Sequence, residues 1–145
     1  MIRVSVQPAP IDLATELAGV EAKGEGAIAS FTGVVRGDDG VTELTLEHYP
    51  GMTEAALIDL AEEAWERWAL LAVTLVHRVG PMVPGDRIVF IATAASHRAA
   101  ALESCAYLID RLKTDAPFWK REVRGGEACW VEARGSDADA AERWA

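Results

Sequence analysis

The chain has 145 residues, half of them hydrophobic and about a quarter charged, with a formal net charge of −9. That length points to one domain, residues 1–145, able to bury a real core. The acidic balance argues against nucleic-acid binding, which draws most of its affinity from Lys/Arg–phosphate contacts, and against a membrane-surface role. No apolar stretch approaches the roughly 18 residues of a membrane span.

In chain order, residues 3–7 alternate like a short strand, and the N-terminal Met1-Ile-Arg-Val-Ser-Val lacks a signal peptide's apolar core. Asp12 is placed to cap a helix running to about Val20. Residues 27–35 are small and apolar, as in a buried strand, and Gly33 marks a bulge or a close backbone approach. The turn signal Gly37-Asp-Asp-Gly40 predicts a hairpin between that strand and residues 41–49, where Leu44 and Leu46 share a face. Thr53 reads as the N-cap of a helix whose apolar stripe is Leu57, Leu60, Ala61, Ala64, Trp65 and Trp68. Residues 73–79 and 87–93 read as strands joined by a proline-containing loop.

Ser96 is the expected N-cap of a long helix burying Leu102, Cys105, Ala106, Ile109 and Leu112. Pro117 cannot continue that helix and biases Ala116 toward extended backbone, so the helix should end near Lys113 and an extended run should begin at Phe118. Residues 119–124 and 129–133 form a late hairpin across Gly125-Gly126, and Ser136 starts a short helix to Trp144. Frequent hairpins and few helices predict an α+β fold with a mainly antiparallel sheet and two to three main helices. Cys105 and Cys129 have no metal or redox spacing and read as buried thiols in a reducing cytoplasm.

The chemistry concentrates late in the chain. In Lys113-Thr-Asp-Ala-Pro-Phe-Trp-Lys120-Arg121-Glu122 two lysines bracket a turn stiffened by Pro117. Held there, two ammonium groups can bind an anion or exchange protons with it; the alternative is an ordinary solvated loop. Glu122 is placed to orient Lys120 or Arg121. Ser96-His97-Arg98 would put His97 and Arg98 in a helical first turn, where backbone N–H groups and the helix dipole favour an anion. Arg36 ends a buried strand beside a turn, as a binding cation or a solvated one. His48 and His77 fall in strands without metal-ligand spacing, and no phosphate loop or nucleophile motif is present.

Phe31-Thr-Gly-Val-Val-Arg36, Leu44-Thr-Leu-Glu-His-Tyr-Pro-Gly-Met52, His77-Arg-Val-Gly80, Pro84-Gly-Asp86, Ser96-His-Arg98, the Lys113–Glu122 segment and Trp130-Val-Glu-Ala-Arg134 occur in a characteristic order. This ordered set resembles the large, catalytic subunit of molybdopterin synthase along nearly the whole chain. The resemblance implies an α/β-hammerhead fold and an enzyme that installs the dithiolene sulfurs on cyclic pyranopterin monophosphate. Its sulfur donor would be the C-terminal Gly-Gly thiocarboxylate of a small ubiquitin-like carrier subunit, bound at each end of a large-subunit dimer. No metal or other cofactor is expected, since His48, His77 and His97 show no metal-ligand spacing.

By the same resemblance Lys113 and Lys120 are the active-site lysines, and Arg36, His97, Arg98 and Arg121 line the anion and pterin pocket, with Glu122, Val34 and Val35 in the substrate-binding set. Several of these would face a site completed by the neighbouring large subunit. Val34 stands where some members carry a lysine, and the turn after it is shorter than in some of them. The competing reading is a non-catalytic module that holds a pterin or a carrier tail for another enzyme.

Overall fold

The computed structural model describes residues 1–131 and Trp144. Its elements run β1 (Ile2–Gln7), α1 (Leu13–Glu21), β2 (Ala27–Val34), β3 (Val41–His48), α2 (Met52–Trp68), β4 (Ala72–Arg78), β5 (Gly80–Met82), β6 (Arg87–Ala95), α3 (Arg98–Asp115), β7 (Phe118–Arg124) and β8 (Glu127–Val131). They build two four-stranded sheets, ordered β1-β4-β6-β2 and β5-β3-β7-β8. Only β1 and β4 pair in parallel among the described residues; every other pairing is antiparallel. The α+β expectation holds, with three α-helices in the described part.

Period-two alternation in the first sheet feeds two cores. Val73, Leu75, Val89 and Ile91 face α2 and α3 and meet Leu57, Leu60, Ala64 and Leu108. Ala72, Val76, Phe90 and Ala92 face the other way, onto Ile11 and Val20 beside α1. The α2 stripe is buried from Leu57 to Ala64, with Trp65 and Trp68 packed on its edge. A third cluster of Val35, Leu44, Leu46, Val79 and Met82 joins the two sheets.

Several local expectations are met. Asp12 caps α1, accepting from Thr15 N. Gly33 marks the bulge, with the register shifting between Gly33 and Val34, and what lies close to it is a side chain rather than backbone: a Cβ there would be 2.8 Å from Val89 Cγ1. The late hairpin forms as β7 and β8, with its turn at Gly125-Gly126. The expected helix from Ser136 to Trp144, and residues 132–133 of the last strand, lie outside the described residues except for Trp144.

Other expectations are corrected. β2 and β3 are not a hairpin: β2 pairs with β6 in one sheet, and β3 with β5 and β7 in the other. The turn between them carries the chain from sheet to sheet, pinned where Val35 N donates to Asp86 O and Gly85 N to Val35 O, each at 2.9 Å. The loop after β4 contains β5, whose Pro81 is tolerated because the strand is at a sheet edge. Gly51, not Thr53, is the N-cap of α2; its positive φ of 88° turns the chain, and its N–H donates to Glu54 Oε1. His97, not Ser96, caps α3, because the chain is still extended there. Leu102 is 61 % exposed, since it lies on the outer side of α3, and Cys129 is exposed on edge strand β8 while Cys105 is buried.

Candidate active site

The end of α3 behaves as Pro117 dictates. The helix stops at Asp115, Ala116 is extended at φ −84° and ψ 127°, and β7 begins at Phe118. Lys113 therefore sits in the last helical turn, where the dipole favours a cation, and Lys120 projects from the third residue of β7. Both line a cavity of about 500 Å³ between the two sheets and the end of α3. Its floor is apolar, formed by Phe31, Leu46, Ile88 and Phe118, and Arg36 stands on its rim. Arg36 is exposed, 3.9 Å from Asp38.

A smaller recess of about 100 Å³ adjoins this cavity and shares Lys113, Lys120, Arg36 and Val34 with it, adding Val35, Glu122 and Arg124. Glu122 is buried there and anchors two cations. It accepts from Arg124 Nη2 at 2.7 Å and Nε at 3.2 Å, and Lys120 Nζ lies 3.6 Å from its other oxygen. The Arg124 hydrogen bonds, and then the charge of Lys120, hold its carboxyl below the usual range. Glu122 thus orients Lys120 as expected, but its second partner is Arg124 rather than Arg121.

Arg121 is not on this wall. Alternation along β7 places it opposite Thr45, on the face away from Lys120 and Glu122. There its Nε is buried without a hydrogen-bond partner among the described residues. His97 and Arg98 are exposed at the start of α3. Lys113 lies fifteen positions after Arg98 on the same helix, about 22 Å at 1.5 Å per residue, so one protomer cannot bring both to one small anion. Within a chain the structure gathers Lys113, Lys120, Arg36, Glu122, Val34 and Val35, and leaves out His97, Arg98 and Arg121.

Arg124, which the sequence places with Lys113, Lys120 and Arg121 in a locally basic patch able to focus a small anion, shares the period-two face of Lys120 and Glu122. His77 escaped the sequence reading of the site, because a histidine in an apolar strand gives no sign of which cavity it borders. It is 5 % exposed, stacks on Phe118 at 4.0 Å between ring centroids, and lines the cavity beside Lys113.

A model of the family described as MoaE protein matches residues 6–115. The molybdopterin synthase catalytic subunit of Salmonella typhimurium is 48 % identical over 146 residues, covering 98 % of this chain and 97 % of the relative. The chain belongs to the MoaE family. Its similarity to the Escherichia coli molybdopterin synthase catalytic subunit is 47 % identity, with the same coverage. Among solved structures, the MoaE molybdopterin biosynthesis protein of Burkholderia ambifaria superposes with a TM-score of 0.86 at 47 % identity, covering 99 % of this chain and 98 % of that one. Molybdopterin synthase from Staphylococcus aureus gives 0.80 at 32 % identity, over 88 % and 95 % of the two chains. These matches agree with the ordered motifs and with the α+β architecture of the MoaE family.

Proposed function

We propose that this chain is the catalytic subunit of molybdopterin synthase, a sulfurtransferase. It moves sulfur from the C-terminal thiocarboxylate of a small carrier subunit to cyclic pyranopterin monophosphate and so forms the molybdopterin dithiolene. The observation that carries this reading is the convergence of Lys113 and Lys120, from different elements, on one cavity with an apolar floor. Lysines pointing into bulk solvent would have favoured the non-catalytic module.

The chemistry follows from the charges. A thiocarboxylate and a phosphate are both anions, and Lys113, Lys120 and Arg36 give the cavity a positive rim inside an acidic protein. Low local dielectric above the apolar floor strengthens each attraction. Lys113 stabilises the anionic intermediates of sulfur attack and transfers protons, while Lys120, held by Glu122, positions the tail or the substrate. Thin at its Gly-Gly end, the carrier tail can enter where a bulkier segment cannot.

His97 and Arg98 fit this scheme as residues lent to a partner's cavity. Their distance from Lys113 in one protomer is what a site shared across a dimer of this chain requires. No helix among the described residues is long and apolar enough to cross a membrane, and we assign the protein to the cytoplasm. The direct test mixes the purified protein with thiocarboxylated carrier and cyclic pyranopterin monophosphate and assays molybdopterin. Formation of molybdopterin is expected; carrier binding without product would favour the module.

A further inference from the structure

We infer that His77 is a substrate-binding residue whose Nε2 accepts a hydrogen bond from the aminopyrimidinone edge of the pterin, an inference that rests on the sulfur-transfer reading of the cavity. Nδ1 lies 3.0 Å from the carbonyl oxygen of Arg78. A carbonyl only accepts, so Nδ1 carries the proton, and the lone pair of the neutral ring is on Nε2. Burial keeps the ring neutral, lowering its pKa to about 4, and the charges of Lys113 and His48 act in the same direction.

Nε2 has no hydrogen-bond partner among the described residues. The ring lines the cavity, and with Nδ1 committed to the Arg78 carbonyl, Nε2 is the ring nitrogen left to meet an occupant. The cations on that wall, Arg36, Lys113 and Lys120, only donate hydrogen bonds. Apart from the Thr32 hydroxyl, His77 supplies the side-chain acceptor of the described lining.

A thiocarboxylate or phosphate needs donors alone. An occupant that also presents N–H groups needs an acceptor, and the pterin's ring N–H and exocyclic amine are such groups. The cavity, at about 500 Å³, has room for a fused heterocycle, and the stack on Phe118 fixes the imidazole so that its lone pair is oriented before binding.

The test compares steady-state kinetics of the protein with its carrier for wild type, His77→Phe and His77→Gln. Phenylalanine keeps the stack and the volume but cannot accept; glutamine restores an acceptor oxygen. The expected result is a pterin KM raised about tenfold in His77→Phe, the scale of one lost hydrogen bond. The carrier KM should stay unchanged, and His77→Gln should recover part of the loss. An unchanged pterin KM in folded His77→Phe, or a carrier KM raised equally, overturns the inference.

A second measurement needs neither folding of a variant nor turnover. In wild-type protein with 15N-labelled histidine, the His77 Nε2 resonance should be that of an unprotonated ring nitrogen and should move upfield on adding cyclic pyranopterin monophosphate. An Nε2 signal unmoved at saturation sinks the proposal. If wild type binds the pterin with that shift yet makes no molybdopterin, the acceptor role stands and the sulfur-transfer reading fails.

Discussion

The hydroxyl of Thr53 donates to the carbonyl oxygen of Pro117 at 2.8 Å while accepting from Tyr49 N at 3.0 Å. One fully buried side chain at the start of α2 thereby ties the turn that separates Lys113 from Lys120 to the end of β3. Thr53→Val keeps the shape but leaves the Tyr49 N–H and the Pro117 carbonyl without this partner, which should destabilise the protein by about 1–3 kcal/mol. Urea denaturation measures the loss, and Thr53→Ser, which retains the hydroxyl, should recover most of it. A Thr53→Val protein as stable as wild type would show that the clamp contributes nothing.

Lys113→Ala removes the ammonium group from the last turn of α3 without touching the buried core. Loss of a positioned proton-transfer group costs about 10²–10⁴-fold in rate. Molybdopterin formation should fall on that scale, while carrier binding, measured by calorimetry, survives. Near-normal turnover with thiocarboxylated carrier would remove Lys113 from the chemistry.

Glu122 is the negative charge between Lys120 and Arg124. Its carboxyl is held below its ordinary value, so its contribution to stability is complete above the unfolded-state pKa and is lost as pH falls through the folded one. Glu122→Gln removes the charge at all pH values and should cost about 1–3 kcal/mol near neutrality, with the difference from wild type shrinking in acid. It should also loosen Lys120, raising KM more than it lowers kcat. A constant gap between mutant and wild type down to strongly acid pH would contradict the ion-pair account.

The elements themselves were legible because alternation, the Asp12 cap and Pro117 act locally. Strand partners were not. Gly37–Gly40 is a sound turn signal, but a turn says nothing about whether the strands on either side of it pair, and the bonds of Val35 to Asp86 and Gly85 decide that they do not. In the site, Lys113 and Lys120 could be found from Pro117, since the break that ends the helix also sets where β7 starts. Arg121 could have been set apart by period two, which alternates it with Lys120 and Glu122. His77 could not, because its role depends on Phe118, 41 positions along the chain, arriving from the other sheet.

If His97 and Arg98 serve a partner's cavity, mutants in the two halves of the shared site should complement. Arg98→Ala and Lys113→Ala homodimers should each be nearly inactive. After mixing and subunit exchange, heterodimers contain one cavity with both an intact Lys113 and an intact Arg98, so activity should reappear. Continued inactivity after verified exchange would confine each site to one chain and leave Arg98 outside it.

Acid should weaken the fold through His77. Its ring is held at about 4 in the folded protein against an ordinary 6.5. Between those values the unfolded chain binds more protons than the folded one, so stability rises with pH and is lost as pH falls from about 6.5 toward 4. The groups that face it, Lys113 from α3 and His48 from β3, offer no compensating negative charge. The full effect is about 3 kcal/mol, of which most should be gone by about pH 4.5. Carboxylates such as Glu122 lose stability in acid too, so the measurement is a difference: urea unfolding of wild type and His77→Phe at neutral pH and again at about pH 4.5. Wild type should lose about 2–3 kcal/mol more than the mutant over that interval. Equal losses would mean that the imidazole is already protonated in the folded state, and Nε2 would then be a donor facing Lys113 rather than an acceptor.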